Sequence, residues 1–435
     1  MTNTELELPQ GWITALLPDV VKNEKSAIKR GPFGSHLKKE FFVKSGYKVY
    51  EQQHAINNDF TLGRYYINEE KFQELKNFQV KEDDIIISCS GTIGKIAVAP
   101  KNIEKGIINQ ALLKISLNED IMPREFFKYL FKFWMNKSEI DSHGSGMGNL
   151  SSVKSLKKTP ILLPPLNEQK RIISKIEELF SKVDSTKQSL DKIKLQLEQY
   201  RYSYHNWIFH GNFKEKFNFS SNWEEKPLGK IFKIIGGGTP DTKKSQYWDG
   251  NIPWITSADI HGIKNIIPRR RVSQLGIDNS ATHKIPPNSI LVVTRVGLGK
   301  LAITSEPICI NQDIQAVIID SNIVLPLFVL NYLSQTIQIF RFRNQGTTIS
   351  GVTKKQLADI PFFLPSLDEQ EKIIGHMEMA EARIQNSKSI VNSTLQNLQT
   401  MKMSVLKQAF EGKLVPQDPN DEPASVLLER IKLKN

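Results

Sequence analysis

Leu163-Pro164-Pro165-Leu166-Asn167-Glu168-Gln169 returns 201 residues later as Leu364-Pro365-Ser366-Leu367-Asp368-Glu369-Gln370, and this doubled septet decides the architecture. Each copy heads a segment whose apolar residues recur in alternating steps of four and three. The first series is Ile172, Ile176, Leu179, Val183, Thr186, Leu190, Ile193, Leu197, Tyr200, Tyr204 and Trp207. The same offset gives Ile373, Met377, Ala380, Ile384, Ser387, Val391, Thr394, Leu398, Met401, Val405 and Gln408, a smaller and more polar seam in the same register. Such spacing predicts two helices of about 42 residues, ~60 Å each at 1.5 Å per residue, packed as a coiled coil. Asn167 and Asp368 are the expected caps, with Glu168 and Glu369 complementing the positive helix end. Gly211 and Gly412 are the expected stops, because glycine readily takes the left-handed conformation of a helix end.

Working outward, the repeat extends over both halves with small drifts in offset, as loops of unequal length require. Trp12 pairs with Trp223, Ile93-Gly94-Lys95 with Leu298-Gly299-Lys300, and Ile108-Asn109-Gln110 with Ile310-Asn311-Gln312. Each half is therefore a variable domain followed by a long helix. The expected division is 1–163, 164–212, 213–364 and 365–412, with a tail at 413–435. The variable domains read as mixed α and β. Ile85-Ile86-Ile87 and Ile290-Leu291-Val292-Val293 have the length of buried strands, and shorter strands are expected at Tyr47 to Tyr50 and Pro253 to Ile255. Helices are expected over Pro123 to Met135, Pro326 to Ile339 and Ala424 to Lys432. A long seam separated from its twin by a whole domain can be covered by antiparallel pairing, which gives the molecule a pseudo-two-fold internal repeat. The competing reading packs each helix on its own domain.

Composition narrows the class. With 435 residues, 39% hydrophobic and 24% charged, the chain can bury more than one core, and no stretch reads as a membrane span or a secretion signal. A cytoplasmic protein is expected. The net charge of +12 favours a polyanionic partner. Cys89 and Cys309 read as ordinary buried thiols, and eight scattered histidines lack metal-ligand spacing. Catalytic signatures are missing: Gly236-Gly237-Gly238-Thr239 lacks a phosphate-loop lysine. Pro164-Pro165 and Pro286-Pro287 lack the neighbours of a methylase tetrapeptide, and no carboxylate-x-lysine follows Pro240-Asp241 as a nuclease would need. The chain reads as a binder, with no bound metal or cofactor expected.

The doubled septet resembles the specificity subunits of type I restriction-modification systems. So does the order of Gly31-Pro32-Phe33-Gly34-Ser35, Gly236 to Pro240, Ile252-Pro253-Trp254 and the ending Gly412-Lys413-Leu414-Val415-Pro416. That resemblance implies two target-recognition domains, each reading one half of a split double-stranded DNA site. It implies paired helices that hold the domains apart and dock two methylation subunits. S-adenosylmethionine belongs on those subunits, and ATP and Mg2+ on the motor/nuclease subunits that join for cleavage. A stand-alone coiled-coil regulator of DNA, or a single-chain restriction enzyme, are the competing readings.

For such a protein, affinity comes from cations on phosphates and specificity from a few side chains at base edges. The phosphate candidates are Lys29, Arg30, Lys38 and Lys39 in the first half, and Lys243, Lys244, Arg269, Arg270 and Arg271 in the second. The base-reading candidates follow the short strands: Gln52, Gln53 and His54, and Thr256, Ser257 and Asp259. Arg295, beside the strand at Ile290, is a guanine-reading candidate. Loop capping is the bland alternative for all of them.

Overall fold

The computed structural model describes residues 8–140, 153–209, 219, 223–343 and 351–433. They fall into two compact units, one formed by residues 1–189 with 394–435 and the other by residues 190–393. Each unit thus holds one of the two mixed domains and a part of both long helices, which span Leu166–Phe209 and Leu367–Phe410.

In the first unit an antiparallel sheet has the order Ile28–Arg30, Leu112–Ile115, Ile85–Ser88, Ile96–Val98. A second sheet has the order Tyr66–Ile67, Tyr47–Tyr50, Gly106–Ile108, Gln79–Val80, with Tyr47–Tyr50 parallel to Gly106–Ile108. The unbroken apolar run at Ile85 is explained by burial on both faces. Ile85 and Ile87 join the core under the helix Arg124–Ile140, while Ile86 packs with Tyr50, Ala97 and Ile108 on the other side. The second unit repeats the arrangement. Ile290 and Val292 face the helix Pro326–Arg343, and Leu291 and Val293 face a core with Ile255 and Ile310. The expected strands and helices are present, although Arg124–Ile140 and Pro326–Arg343 run several residues past their expected ends.

The long helices are antiparallel. In the second unit Lys194 reaches Asn392, Lys388 reaches Glu198 and Arg201 reaches Glu381, so numbers rise on one helix as they fall on the other. In the first unit Ile172 and Ile176, near the start of the first helix, share a core with Val405, Leu406, Ala409 and Phe410 at the end of the second.

The septet does more than start a helix. Its glutamate accepts a bond from the tryptophan that opens the domain: Trp12 Nε1 donates to Glu168 at 3.0 Å and Trp223 Nε1 to Glu369 at 3.2 Å. Its glutamine donates to two backbone carbonyls, Gln169 to Ile121 and Pro164, and Gln370 to Ile323 and Pro365. Just before it, Pro160–Leu163 pairs with Ile13–Leu16, and Pro361–Leu364 with Glu224–Pro227. Helix, first strand and domain core are thereby fixed together.

Three expectations about the helices are corrected. Asn167 and Asp368 are not the caps, because the helices begin one residue earlier; Ser366 instead exchanges bonds with Glu369. Ile193 is 41% exposed, beside the level at which Lys194 reaches Asn392 of the second helix, where Asn392 and Ser393 are themselves exposed. Val183, Ile384, Val391 and Val405 are buried as expected, with Leu179, Leu190, Leu197 and Leu398 half-buried. At the far ends the inward positions are His205, Ile208 and Phe209 in place of Tyr204 and Trp207, and Ala409 and Phe410 in place of Gln408. A straight α-helix drifts ~20° per heptad against a strict seven-residue repeat, so five heptads turn the face by ~100°, the angle of one residue. Gly412 ends the second helix at φ +69°; Gly211 lies outside the described residues.

Candidate nucleic-acid interface

The parallel pairing of Tyr50 with Ile108 and of Ile255 with Ile310 makes Gln52, Gln53 and His54 the counterparts of Ser257, Ala258 and Asp259. Both triplets form the first turn of a short helix, Gln52–Asn57 and Ser257–Asp259, rather than a loop. Their third members point inward, which overturns two base-reading candidates. His54 is fully buried; Glu51 N–H donates to its Nδ1 at 2.8 Å, so Nε2 carries the hydrogen to the Leu62 carbonyl at 2.7 Å. Asp259, 2% exposed, accepts from the Thr256 N–H at 2.7 Å and hydroxyl at 2.6 Å, and from Arg269. Burial pushes its carboxyl up, but those bonds outweigh burial and hold it below the ordinary carboxylate range. Thr256 is therefore a capping residue.

The outer members are not buried: Gln52, Gln53 and Ser257 are half-buried and Ala258 is exposed. The Gln52 amide lies 3.5 Å from where a side chain on Gly91 would begin. Gln53 donates to the Glu51 carboxylate at 2.9 Å. Gly91 and Gly94, at φ +59° and +81°, turn the chain back after the strand Ile85–Ser88, and Gly297 and Gly299, at +86° and +96°, do so after Ile290–Val293. In the second unit Lys300 ties this loop to the short helix through the carbonyls of Ser257 and Ile260, at 2.9 and 3.2 Å. Ser257 lies against Gly297. Arg295 and Val296 stand exposed on the loop, and the Arg295 side chain has no hydrogen bond or ion pair among the described residues, its backbone carbonyl accepting from the Leu298 N–H at 2.9 Å. Each unit thus presents one edge on which a helix start and a two-glycine loop meet. Gln52 and Gln53 lie on one such edge, and Ser257 and Arg295 on the other.

The phosphate candidates are dispersed. Arg30 donates to the Gln110 carbonyl at 3.1 Å and the Cys89 carbonyl at 3.5 Å, while Lys29 lies over Phe78. Lys38 pairs with Glu40, and Lys39 and Lys243 are exposed. Lys244 donates to the Tyr247 hydroxyl. The arginine run does not form a single patch. Residues 270–272 are a strand, whose side chains alternate between faces. Arg270 stacks on Trp248 at 3.9 Å, Arg269 pairs with Asp259 and Arg271 donates to the Asn251 carbonyl. Both cysteines are buried with their thiols pushed up by burial, that of Cys309 to about 11. Among the described residues no three His, Cys, Asp or Glu side chains are grouped to hold a metal, and no helix is long and apolar enough to cross a membrane.

Sequence reasoning missed Phe33, 59% exposed on the turn that follows Arg30, and the Thr239 hydroxyl donating to Gln312 at 2.6 Å in the matching turn. The signal was present in Gly31-Pro32-Phe33 and Gly237-Gly238-Thr239. Gly31 and Gly237 approach the backbone of Asn109 and of Ile310 and Asn311 so closely that a Cβ would lie 1.8 and 2.1 Å from an oxygen.

Two mixed α/β recognition units with matching edges, carried on two antiparallel helices, define a paired recognition module. The family model for the type I restriction modification DNA specificity domain matches the chain twice, over residues 27–195 and 220–394, and the protein belongs to that family. The specificity subunit of the type I restriction enzyme EcoBI from Escherichia coli is 25% identical over 393 residues, covering 82% of this chain and 81% of its own. That of StySPI from Salmonella potsdam is 25% identical over 458 residues, covering 98% and 96%. The crystal structure of the HsdS subunit from Thermoanaerobacter tengcongensis shares the fold with a TM-score of 0.59 at 20% identity, covering 95% of this chain and all of that one. The chain is a specificity subunit with two recognition domains, and catalysis belongs to other subunits of such systems.

Proposed function

We propose that each recognition domain reads one half of a bipartite double-stranded DNA target, the domains being residues 1–163 and 213–364. The long helices, within 164–212 and 365–412, dock two methylation subunits, and motor/nuclease subunits join them for cleavage. S-adenosylmethionine, ATP and Mg2+ are bound by those partners in the cytoplasm, and this chain supplies the address. The observation that carries the reading is the duplicated edge, in which equivalent strands deliver equivalent helix starts and glycine loops in both units.

Its test is the methylation pattern of a host carrying the assembled system. Gln52→Ala should change the base preference in one half-site only, and Arg295→Ala in the other only, each by ~1–3 kcal/mol of discrimination, roughly 5- to 150-fold. A uniform loss at both half-sites from either variant would refute the assignment of one domain to one half.

A further inference from the structure

The first unit carries a groove of about 730 Å³, and at three of its lining positions, Lys29, Arg30 and Phe33, the matching register of the second unit has Ile235, Gly236 and Thr239. Lys25, Lys29, Arg30, His36 and Lys157 line it, against a single acid, Glu74. That acid is already paired with Lys71 at 2.8 Å, so the groove presents a surplus of positive charge to an incoming chain. At its rim stands Phe33, with the Arg30 guanidinium 5.5 Å from the ring centre. An exposed phenyl ring is unfavourable in water, and here it is held on a rigid turn. Gly31 is pressed on the Asn109 carbonyl, which only glycine permits, and Pro32 fixes the next φ. Ordering the ring therefore costs little when it meets a partner. In the second unit the matching position is Thr239, whose hydroxyl is bonded to Gln312 and which offers no ring.

We propose that this groove holds one DNA strand, with phosphates on Lys25, Lys29 and Lys157 and the Phe33 ring stacked on an adjacent base, so that DNA is unstacked in the first half-site and not in the second. Cations interleaved with an aromatic face suit a strand of nucleic acid, because phosphates take the charge and every base offers a face. The inference rests on the proposed function but deepens it by making the two halves unequal.

The experiment uses the complete complex with its own target duplex, carrying 2-aminopurine in one half or the other, away from the methylated adenine. Binding of the native complex should raise fluorescence at a step in the first half-site alone. Phe33→Ala should abolish that rise and weaken binding roughly 5- to 150-fold, the range of one lost base–aromatic stack, while Phe33→Tyr retains both. Lys25→Ala with Lys157→Ala should reduce the slope of log affinity against log salt by ~1.8, two phosphate contacts at ~0.9 each. These two lysines are exposed, so this variant also serves if Phe33→Ala is insoluble. If the native complex binds its target but the Phe33→Ala complex keeps the fluorescence rise and the affinity, or the double variant keeps the slope, the groove inference is overturned and the proposed function survives. If the native complex binds no DNA, the proposed function itself fails.

Discussion

The central strands of the two units occupy the same place in corresponding sheets and solve burial in opposite ways. In the first unit Lys114, opposite Ile86, is 1% exposed and lies 3.6 Å from the equally buried Asp84, which also accepts from the Ser116 hydroxyl. Burial holds the Lys114 ammonium below its usual range even with Asp84 beside it. In the second unit the matching residues are Ala316, opposite Leu291, and Ser289, both fully buried. Tyr50 and Ile255 match as well, and two residues before them stand a buried Lys48, donating to the Phe60 carbonyl at 2.9 Å, and Pro253. A buried ion pair is not required by this fold, since the apolar version exists 200-odd residues away in the same chain.

That difference predicts the largest effect. Lys114→Ala leaves Asp84 as an uncompensated buried charge and should destabilise the first unit by ~3–5 kcal/mol. Adding Asp84→Ser, which installs the second unit's pair of residues, should restore most of the loss. Urea unfolding of the two variants measures both numbers. A double variant as unstable as the single one would mean that the two sheets are not interchangeable in the way their register implies.

A smaller effect separates the two helix entries. Glu168 is 1% exposed and its second oxygen has no partner among the described residues, because the residue at the cap is Pro165 and has no hydroxyl to offer. Burial raises its carboxyl above the usual range although Trp12 donates to it. Glu369 keeps two further donors, the Ser366 N–H and hydroxyl, each at 2.9 Å. Trp12→Phe should therefore cost ~1–3 kcal/mol for the lost bond to a buried group, beyond the packing loss that both tryptophans share, and Trp223→Phe should cost less. Comparing thermal midpoints of the two variants tests the order, and equal losses would contradict it.

What was legible follows from what is periodic. Repetition, helix length and antiparallel pairing can be read because apolar spacing reports a buried stripe directly. The exposure of Ile193 could not be, since it depends on which residues of the partner helix lie at its level, and that register is fixed by contacts such as Lys194 with Asn392, far apart in sequence. Glu168 and Glu369 looked like helix-dipole partners, and the tryptophans that bind them lie about 150 residues away. His54 and Asp259 carried polar side chains in the right segment, yet a capping turn rotates the third residue inward; the Thr256-x-x-Asp259 spacing of a capping box was there to signal this for Asp259, whereas Glu51-x-x-His54 has no such standard pattern. Arg269, Arg270 and Arg271 read as one patch until strand alternation divided them.

The smallest effect comes from a single repeat position. Leu406 is fully buried in the first unit; 201 residues earlier the same position in the second unit holds His205, 6% exposed, with both ring nitrogens lacking a partner among the described residues. An unsatisfied buried polar group costs ~1–3 kcal/mol, so His205→Leu, which copies the first unit, should stabilise the second unit by ~1–2 kcal/mol. The gain should depend on pH. Burial, helped by the nearby Arg201 and opposed by Glu381, lowers the folded pKa of His205 below its ordinary value of 6.5. The unfolded chain then binds more protons than the folded one between those two pKa values, so stability is complete above pH 6.5 and falls as pH drops below it. Replacing the imidazole with leucine removes that slope. Unfolding midpoints of both proteins at pH 7.5 and 5.5 check the point: the advantage of His205→Leu should widen at the lower pH. An advantage that stays constant would mean that His205 keeps the same proton in both states, and that the difference between the two helix ends is one of packing alone.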